Sequence, residues 1–510
     1  MSRAERPLPE RSHPGAWLYN GVRVPARRQV RLRAGDGEGE LSRLASRSSA
    51  LVSEWMDVKQ SGGPLRITQD NTRLRRIAPV IYPNGIEASM KKILMLIVLG
   101  CSSALGGDFH LALPYTRFTL PNGLEVILHE DHAVPTVAVN LWYHVGSSRE
   151  TPGHTGFAHL FEHLMFMGSK DAPEGKFDEW LEAAGGDNNA STTTDRTDYY
   201  ENVPSNALEL PLFLESDRMA TLAEVMTPEK VDAQRAVVKN ERRETVENRP
   251  YGQASIIIHE NLFPPEHPYH WPTIGSMEDL DAATYDDVVA FFKTYYVPGN
   301  ASLVIVGDID QAKVRSEVEH WFSDVPAGEP VAPQGIPAIE VDKQTSVVFE
   351  DRVQLPRLYL AWVTPALFAP GDAELDLLSL ILAGGKNSRL YRRLVYDLQI
   401  AQDVTAYQAS SKLASVFQII VTARSGHSLA EILPVVDEEI ARLKAEGPAP
   451  REFERAVNQM EASFLDRLEN VSFVADQLNA YFSDTGDPDY FNEDLSRYKA
   501  VDPTDIRSAA

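Results

Sequence analysis

His159 and His163 lie four residues apart and flank Glu162 in the apolar stretch Gly156-Phe157-Ala158-His159-Leu160-Phe161-Glu162-His163-Leu164-Met165-Phe166-Met167. Nothing after Gly156 breaks a helix, and Leu160, Leu164 and Met167 recur at helical spacing. Residues four apart share one helix face, so both imidazoles aim at one point with Glu162 beside them. Two imidazoles so placed supply half of a tetrahedral zinc site. A carboxylate next to such an ion can take a proton from water held there. A pair of histidines at this spacing is also found in ordinary cores. Here the helix is too apolar to leave two imidazoles and a carboxylate without partners, because burying them unpaired is costly.

A third protein ligand is needed. The stretch Val237-Val238-Lys239-Asn240-Glu241-Arg242-Arg243-Glu244 offers Glu241 and, one turn on, Glu244. Either glutamate alone reads as an exposed helix face. The order His-x-x-Glu-His, however, is that of the inverted zinc-peptidase motif. With these residues the chain resembles the pitrilysin/insulinase family of zinc metallopeptidases. The resemblance implies one Zn²⁺ held by His159, His163 and a glutamate on a later helix, with Glu162 as general base. Glu241 stands 241 − 163 = 78 residues after the second histidine, about the family interval. Glu244 is the second choice. The resemblance also makes Asn189-Ala190-Ser191-Thr192 an edge strand beside the metal. Substrate peptide would pair there with the backbone around Asn189 and Ala190, with little sequence preference. Seven residues before the zinc glutamate some members carry another glutamate that supports a histidine ligand. Gln234 holds that place here and could orient an imidazole N–H without adding charge.

The implied fold class is α+β: two homologous domains, each a mainly antiparallel sheet packed with helices, together half of a clamshell metallopeptidase. The local patterns agree. Arg117–Leu120 and Leu124–Leu128, joined by Pro121-Asn122-Gly123, read as a hairpin. Val137, Val139, Leu141, Tyr143 and Val145 alternate as in a strand. Helices are expected at 207–223 and 228–248, and Thr284-x-x-Asp287 resembles a capping box. Residues 301–308 read as a buried strand. The catalytic domain is thus placed at 115–325, a proline-punctuated linker at 326–341 and a second domain at 342–510. Strands at 345–351 and 357–364, a helix at 372–383 and a long helical stretch at 450–482 repeat the plan. Leu380-Ile381-Leu382-Ala383-Gly384 matches Leu164-Met165-Phe166-Met167-Gly168 at an offset of 380 − 164 = 216. By that offset Leu375, Leu378 and Ser379 replace His159, Glu162 and His163, so the second copy is expected to be non-catalytic. The family's half-molecule continues past residues 502–506 to a final strand, so the second domain reads as short at its C-terminus.

A net charge of −24 over 510 residues argues against nucleic acid as a partner. Residues 1–89 differ from the rest, with 15 Lys and Arg against 9 Asp and Glu and no sustained periodicity. Met90-Lys91-Lys92 and the apolar run Ile93–Leu99 then form a secretory signal pattern over 90–106. Translation is expected to start at Met90, with 1–89 an over-extended reading frame. Val98-Leu99-Gly100-Cys101 resembles a bacterial lipobox, so Cys101, the chain's one cysteine, is a candidate for lipidation. The alternative is ordinary cleavage after Gly106. Either route exports the chain, to the periplasm or to a lipid anchor facing it.

In active family members a half without zinc supplies an arginine and a tyrosine, seven residues apart, near the reacting carbonyl. Counted from Gly384-Gly385-Lys386-Asn387-Ser388-Arg389-Leu390, the matching positions here are Val395 and Gln402. Arg392 and Arg393 are followed seven residues later by Gln399 and Ile400, not by tyrosine. The expected activity is therefore a zinc metalloendopeptidase or oligopeptidase acting on peptides or unfolded polypeptide. A homologous partner subunit, or a C-terminal half, would contribute the missing pair. The rival is a non-catalytic family member acting as a partner or assembly scaffold, against which the intact motif argues.

Overall fold

The computed structural model describes residues 110–335, 337–339 and 344–510. The expectations for 1–89, for the signal pattern and for Cys101 lie outside these residues.

β1 (Tyr115–Thr119) and β2 (Glu125–Glu130) form the expected hairpin, turning at Gly123 with a φ of 93° that favours glycine. β3 (Thr136–Tyr143) leads through a loop to α1 (Phe157–Leu164) and α2 (Lys176–Ala184). The hairpin of β4 (Asp187–Thr192) and β5 (Thr197–Pro204) follows. Next come α3 (Glu209–Val225) and α4 (Pro228–Arg242), the latter capped by Thr227 and continued by a π-type turn over 243–247. α5 (Ala254–Leu262), α6 (Met277–Ala282) and α7 (Tyr285–Tyr295) precede β6 (Ala301–Gly307) and α8 (Gln311–Phe322). The Thr284/Asp287 capping box opens α7.

These strands form one sheet of order β1-β2-β6-β3-β5-β4, antiparallel except for the parallel β2–β6 pair. β4 is an edge strand. One face carries Val139, Leu141, Leu303 and Ile305 into a core shared with Leu160, Phe161 and Leu164 of α1. That core fixes the helix bearing the His-x-x-Glu-His residues against the sheet.

The second domain contains β7 (Arg357–Thr364), α9 (Asp372–Ala383), β8 (Ala401–Ala409) and β9 (Ser415–Ala423). α10 (Leu429–Glu446), α11 (Pro450–Arg467), α12 (Val471–Thr485), α13 (Phe491–Ala500) and α14 (Pro503–Ala509) follow. Its antiparallel sheet, β7-β9-β8, repeats the β3-β5-β4 part of the first. Leu375 and Leu378 are buried in its core, and the Ser379 hydroxyl donates to the Asp376 carbonyl. Where the first copy carries metal-type side chains, the second carries packing.

Two expectations need correction. No strand forms at 345–351, and Val347, Val348 and Phe349 are exposed. In the first sheet the corresponding β2 is held between β1 and β6. Among the described residues no strand takes the place of β6 beside β7, so the segment has no ladder to join. The helical stretch at 450–482 is two helices, because the Asn470 side chain accepts the Ser472 and Phe473 N–H groups and starts α12 afresh.

α12 belongs to the second domain by sequence yet covers the outer face of the first sheet. Val474, Ala475 and Leu478 pack on Ile127, Ala138, Val304 and Val306. At the centre of this contact the Asn479 amide donates to the Asn140 side chain at 2.8 Å. No described helix is long and apolar enough to cross a membrane.

Candidate metal centre

Gly156 starts α1 with a φ of 89°, and a Cβ there would stand 2.8 Å from the Ile274 carbonyl oxygen. The two oxygens of buried Glu150 accept the N–H groups of Gly156 at 2.9 Å and Ala158 at 2.8 Å. Glu150 thus satisfies donors that the helix start would otherwise leave orphaned. Burial nevertheless pushes its pKa up to about 8 against those two donors. Phe161 stacks on Phe291 and Phe292 of α7 and locks the helix rotation. His159, Glu162 and His163 are left half-buried on the remaining face.

α4 crosses behind this face, anchored by buried Val231 and Val238 and by Lys230, whose ammonium donates to the Met167 carbonyl at 2.9 Å. It delivers Glu241. The Glu241 Oε2 lies 3.2 Å from His163 Nε2 and 3.7 Å from His159 Nε2. Ligand atoms of the three residues all fall within 4.8 Å of one another, the one such group among the described residues. Four ligands at zinc bond lengths of about 2.1 Å in a tetrahedron stand roughly 3.4 Å apart. The donor set and spacing therefore fit a zinc ion with an open fourth position. Glu244, the second choice, points elsewhere and accepts from the Asn240 amide at 3.2 Å.

The electrostatics favour metal-ready protonation states. Burial, helped by the neighbouring His163, pushes His159 down to about 4 against the pull of Glu241. Its imidazole is then neutral at pH 7. For Glu241, burial acts upward, but the His163 hydrogen bond and the two imidazoles outweigh it and lower the pKa. Glu162 is raised, chiefly by burial and against a hydrogen bond from Thr192. That bond, from the Thr192 hydroxyl to Glu162 Oε2, spans 2.5 Å.

Asn189 and Ala190 lie on β4, the outermost strand of the sheet. The Ala190 N–H donates to the Asn189 side-chain oxygen at 2.9 Å. Gln234 does not take the supporting place expected of it. Its amide nitrogen is directed at the Met167 sulfur, 2.7 Å away, and His159 Nδ1 is buried without a partner. Val395 packs against the second core, and Gln402 is exposed on β8. Two residues of the site escaped sequence reasoning. Thr192 stood in a segment of interest but gave no sign that it reaches Glu162. Glu150 was detectable only as an acid shortly before a helix start.

Comparison with known proteins adds four findings. The description "Insulinase (Peptidase family M16)" matches residues 125–263, and "Peptidase M16 inactive domain" matches residues 282–460. The zinc protease PqqE of Helicobacter pylori is 31% identical over 399 residues, covering 76% of this chain and 89% of its own length. The crystal structure of a protease from Helicobacter pylori superposes with a TM-score of 0.71 at 28% identity, covering 78% of this chain and 96% of that one. The periplasmic protease PqqL from Escherichia coli shares the fold at a TM-score of 0.65 and 19% identity; the match spans 78% of this chain but 46% of that protein.

Proposed function

The chain belongs to the pitrilysin/insulinase family of peptidases, family M16, and from that premise we propose that it is a zinc metalloendopeptidase or oligopeptidase. The observation that carries this reading is the meeting of His159, His163 and Glu241 around one point, with Glu162 beside it. The three would hold Zn²⁺. A zinc ion there would polarise the scissile carbonyl and acidify water at the open position. Glu162, with Oε2 held by Thr192, keeps its other oxygen to take the proton of the attacking water. The same carboxyl would then return that proton to the leaving amine. The free edge of β4 offers its backbone to a peptide in extended form. The arriving strand would replace the Asn189 oxygen at the Ala190 N–H.

The Arg/Tyr pair that the half without zinc supplies in active family members has no counterpart at Val395 and Gln402, so a homologous partner half would complete the oxyanion environment. The likeness to somewhat under half of the Escherichia coli protein supports that arrangement at the level of fold. Export to the periplasm rests on the signal pattern at 90–106 and lipidation on Cys101. A partner or scaffold role is the second reading; the inactive-domain match over 282–460, on the second domain, is compatible with both.

Digestion of an unstructured peptide library tests the proposal, with the zinc-loaded chain alone and co-expressed with a homologue carrying the Arg/Tyr pair. Cleavage that stops on chelation and in Glu162→Gln supports it. Cleavage in neither preparation would leave the scaffold reading standing instead.

A further inference from the structure

We propose that Thr192 is a positioning residue for Glu162, and that it ties the general base to the strand on which peptide pairs. The inference rests on the peptidase reading above. Thr192 ends β4, three residues after Asn189 on the same edge strand. Its hydroxyl donates to Glu162 Oε2 at 2.5 Å, a length typical of a charge-assisted bond. It is the one hydrogen bond to the Glu162 carboxylate found among the described residues. Tyr199 and Tyr296 are near enough to act on Glu162 through space, yet neither hydroxyl bonds to its carboxylate. Orientation of the carboxylate therefore falls to Thr192.

The strand does not itself demand this residue. Thr192 pairs with Thr197 in register, and a β-branched valine would serve that pairing equally well. The hydroxyl is the added feature. The end of β4 is also held firmly. The Arg196 guanidinium donates to the Ser191 carbonyl at 2.9 Å and to Asp198 at 2.5 Å. On the other side β4 has no neighbouring strand among the described residues. A peptide strand docking on that free edge would load the same backbone that carries Thr192, and through it the Glu162 carboxylate. Docked substrate and oriented base would then come together.

Thr192→Val and Thr192→Ser in the full chain test the inference, each against wild type with its cleavage-competent partner. Valine keeps shape and strand preference while deleting the donor, and serine restores the donor. Thr192→Val should bind zinc as tightly as wild type in competition with a chelator. Its kcat should fall roughly ten- to a hundredfold with KM within about twofold, as for a misplaced catalytic group. Thr192→Ser should recover most of that loss. Binding of acetohydroxamate to the zinc-loaded chain gives a readout without turnover, because its bound form also needs an acceptor at Glu162. The expectation is a Kd raised about tenfold in the valine variant and restored in the serine variant. Unchanged kcat and hydroxamate affinity in Thr192→Val, or failure of serine to rescue, would overturn the role of Thr192 and leave the peptidase reading intact. Absent cleavage with the hydroxamate pattern preserved would overturn the peptidase reading alone. A chain that takes up no zinc would overturn both.

Discussion

Glu241 Oε2 stands 3.2 Å from His163 Nε2, although the two residues sit on different helices and meet only because α4 packs behind α1. This contact is the ground for proposing Glu241, rather than Glu244 one turn on, as the third ligand. Glu241→Ala should lower zinc affinity by at least two orders of magnitude, in line with the weight of a first ligand against the 10–100-fold carried by outer groups. Glu244→Ala should leave it within about threefold. Chelator competition reads both, and the reverse order would move the third ligand to Glu244.

The proposed function makes Glu162 a base rather than a ligand. Glu162→Gln should keep zinc and lose about 10²–10⁴-fold in turnover, the usual weight of general acid–base catalysis. Metal analysis alongside the assay separates the roles. Loss of zinc as complete as in His159→Ala would show that Glu162 is a ligand.

The histidine pair and strands β1 to β3 were legible because local spacing encodes them. The metal helix needs an apolar face toward the sheet, and Leu160 and Leu164 announce it. Glu241 was legible only through family resemblance, since a glutamate on a charged helix carries no local sign of its partners. The lid of α12 over Ile127 and Val304 was not legible at all. Its Asn479–Asn140 bond joins residues 339 apart, and periodicity reports which face is apolar but not what covers it. The missed break at 468–470 was a capping asparagine inside an otherwise continuous helical pattern. The expected strand at 345–351 had the right residues and, among the described residues, no neighbour to pair with.

Buried Arg218 pairs with Glu215 and lies 3.6 Å from buried Glu201. Burial first, then the charge of Glu215, pushes Glu201 well above the usual carboxylate range, against the attraction of Arg218. Glu201 therefore keeps its proton on folding. Its stabilising share is full below the unfolded carboxyl range near 4.5 and is lost as pH rises toward the folded pKa. Glu201→Gln mimics the protonated form and should change stability at pH 7 by no more than about 1 kcal/mol. Arg218→Met strands a buried carboxylate and should cost about 3–5 kcal/mol. Thermal midpoints of the two variants check the contrast; equal losses would contradict it.

His144 sits where the first sheet meets α12, its Nε2 3.3 Å from the Ser302 hydroxyl and its Nδ1 3.2 Å from that of Ser483. Burial, with Lys412 and Arg149, pushes its pKa down to about 4. A histidine depressed on folding contributes stability that is full above the unfolded value near 6.5 and is lost as pH falls toward 4. The loss should be on the order of 3 kcal/mol. In His144→Gln the thermal midpoint should decline less steeply between pH 6.5 and 4 than in wild type. Parallel curves would contradict the assignment.

The central claim is that His159, His163 and Glu241 hold one zinc ion. The most direct test is metal analysis of the full chain, purified, zinc-loaded and freed of excess metal, beside a His159→Ala/His163→Ala variant. The account predicts about one zinc per wild-type chain, as expected for a single three-ligand site, and essentially none in the variant. A zinc-free wild type, or a variant that retains its zinc, would contradict it.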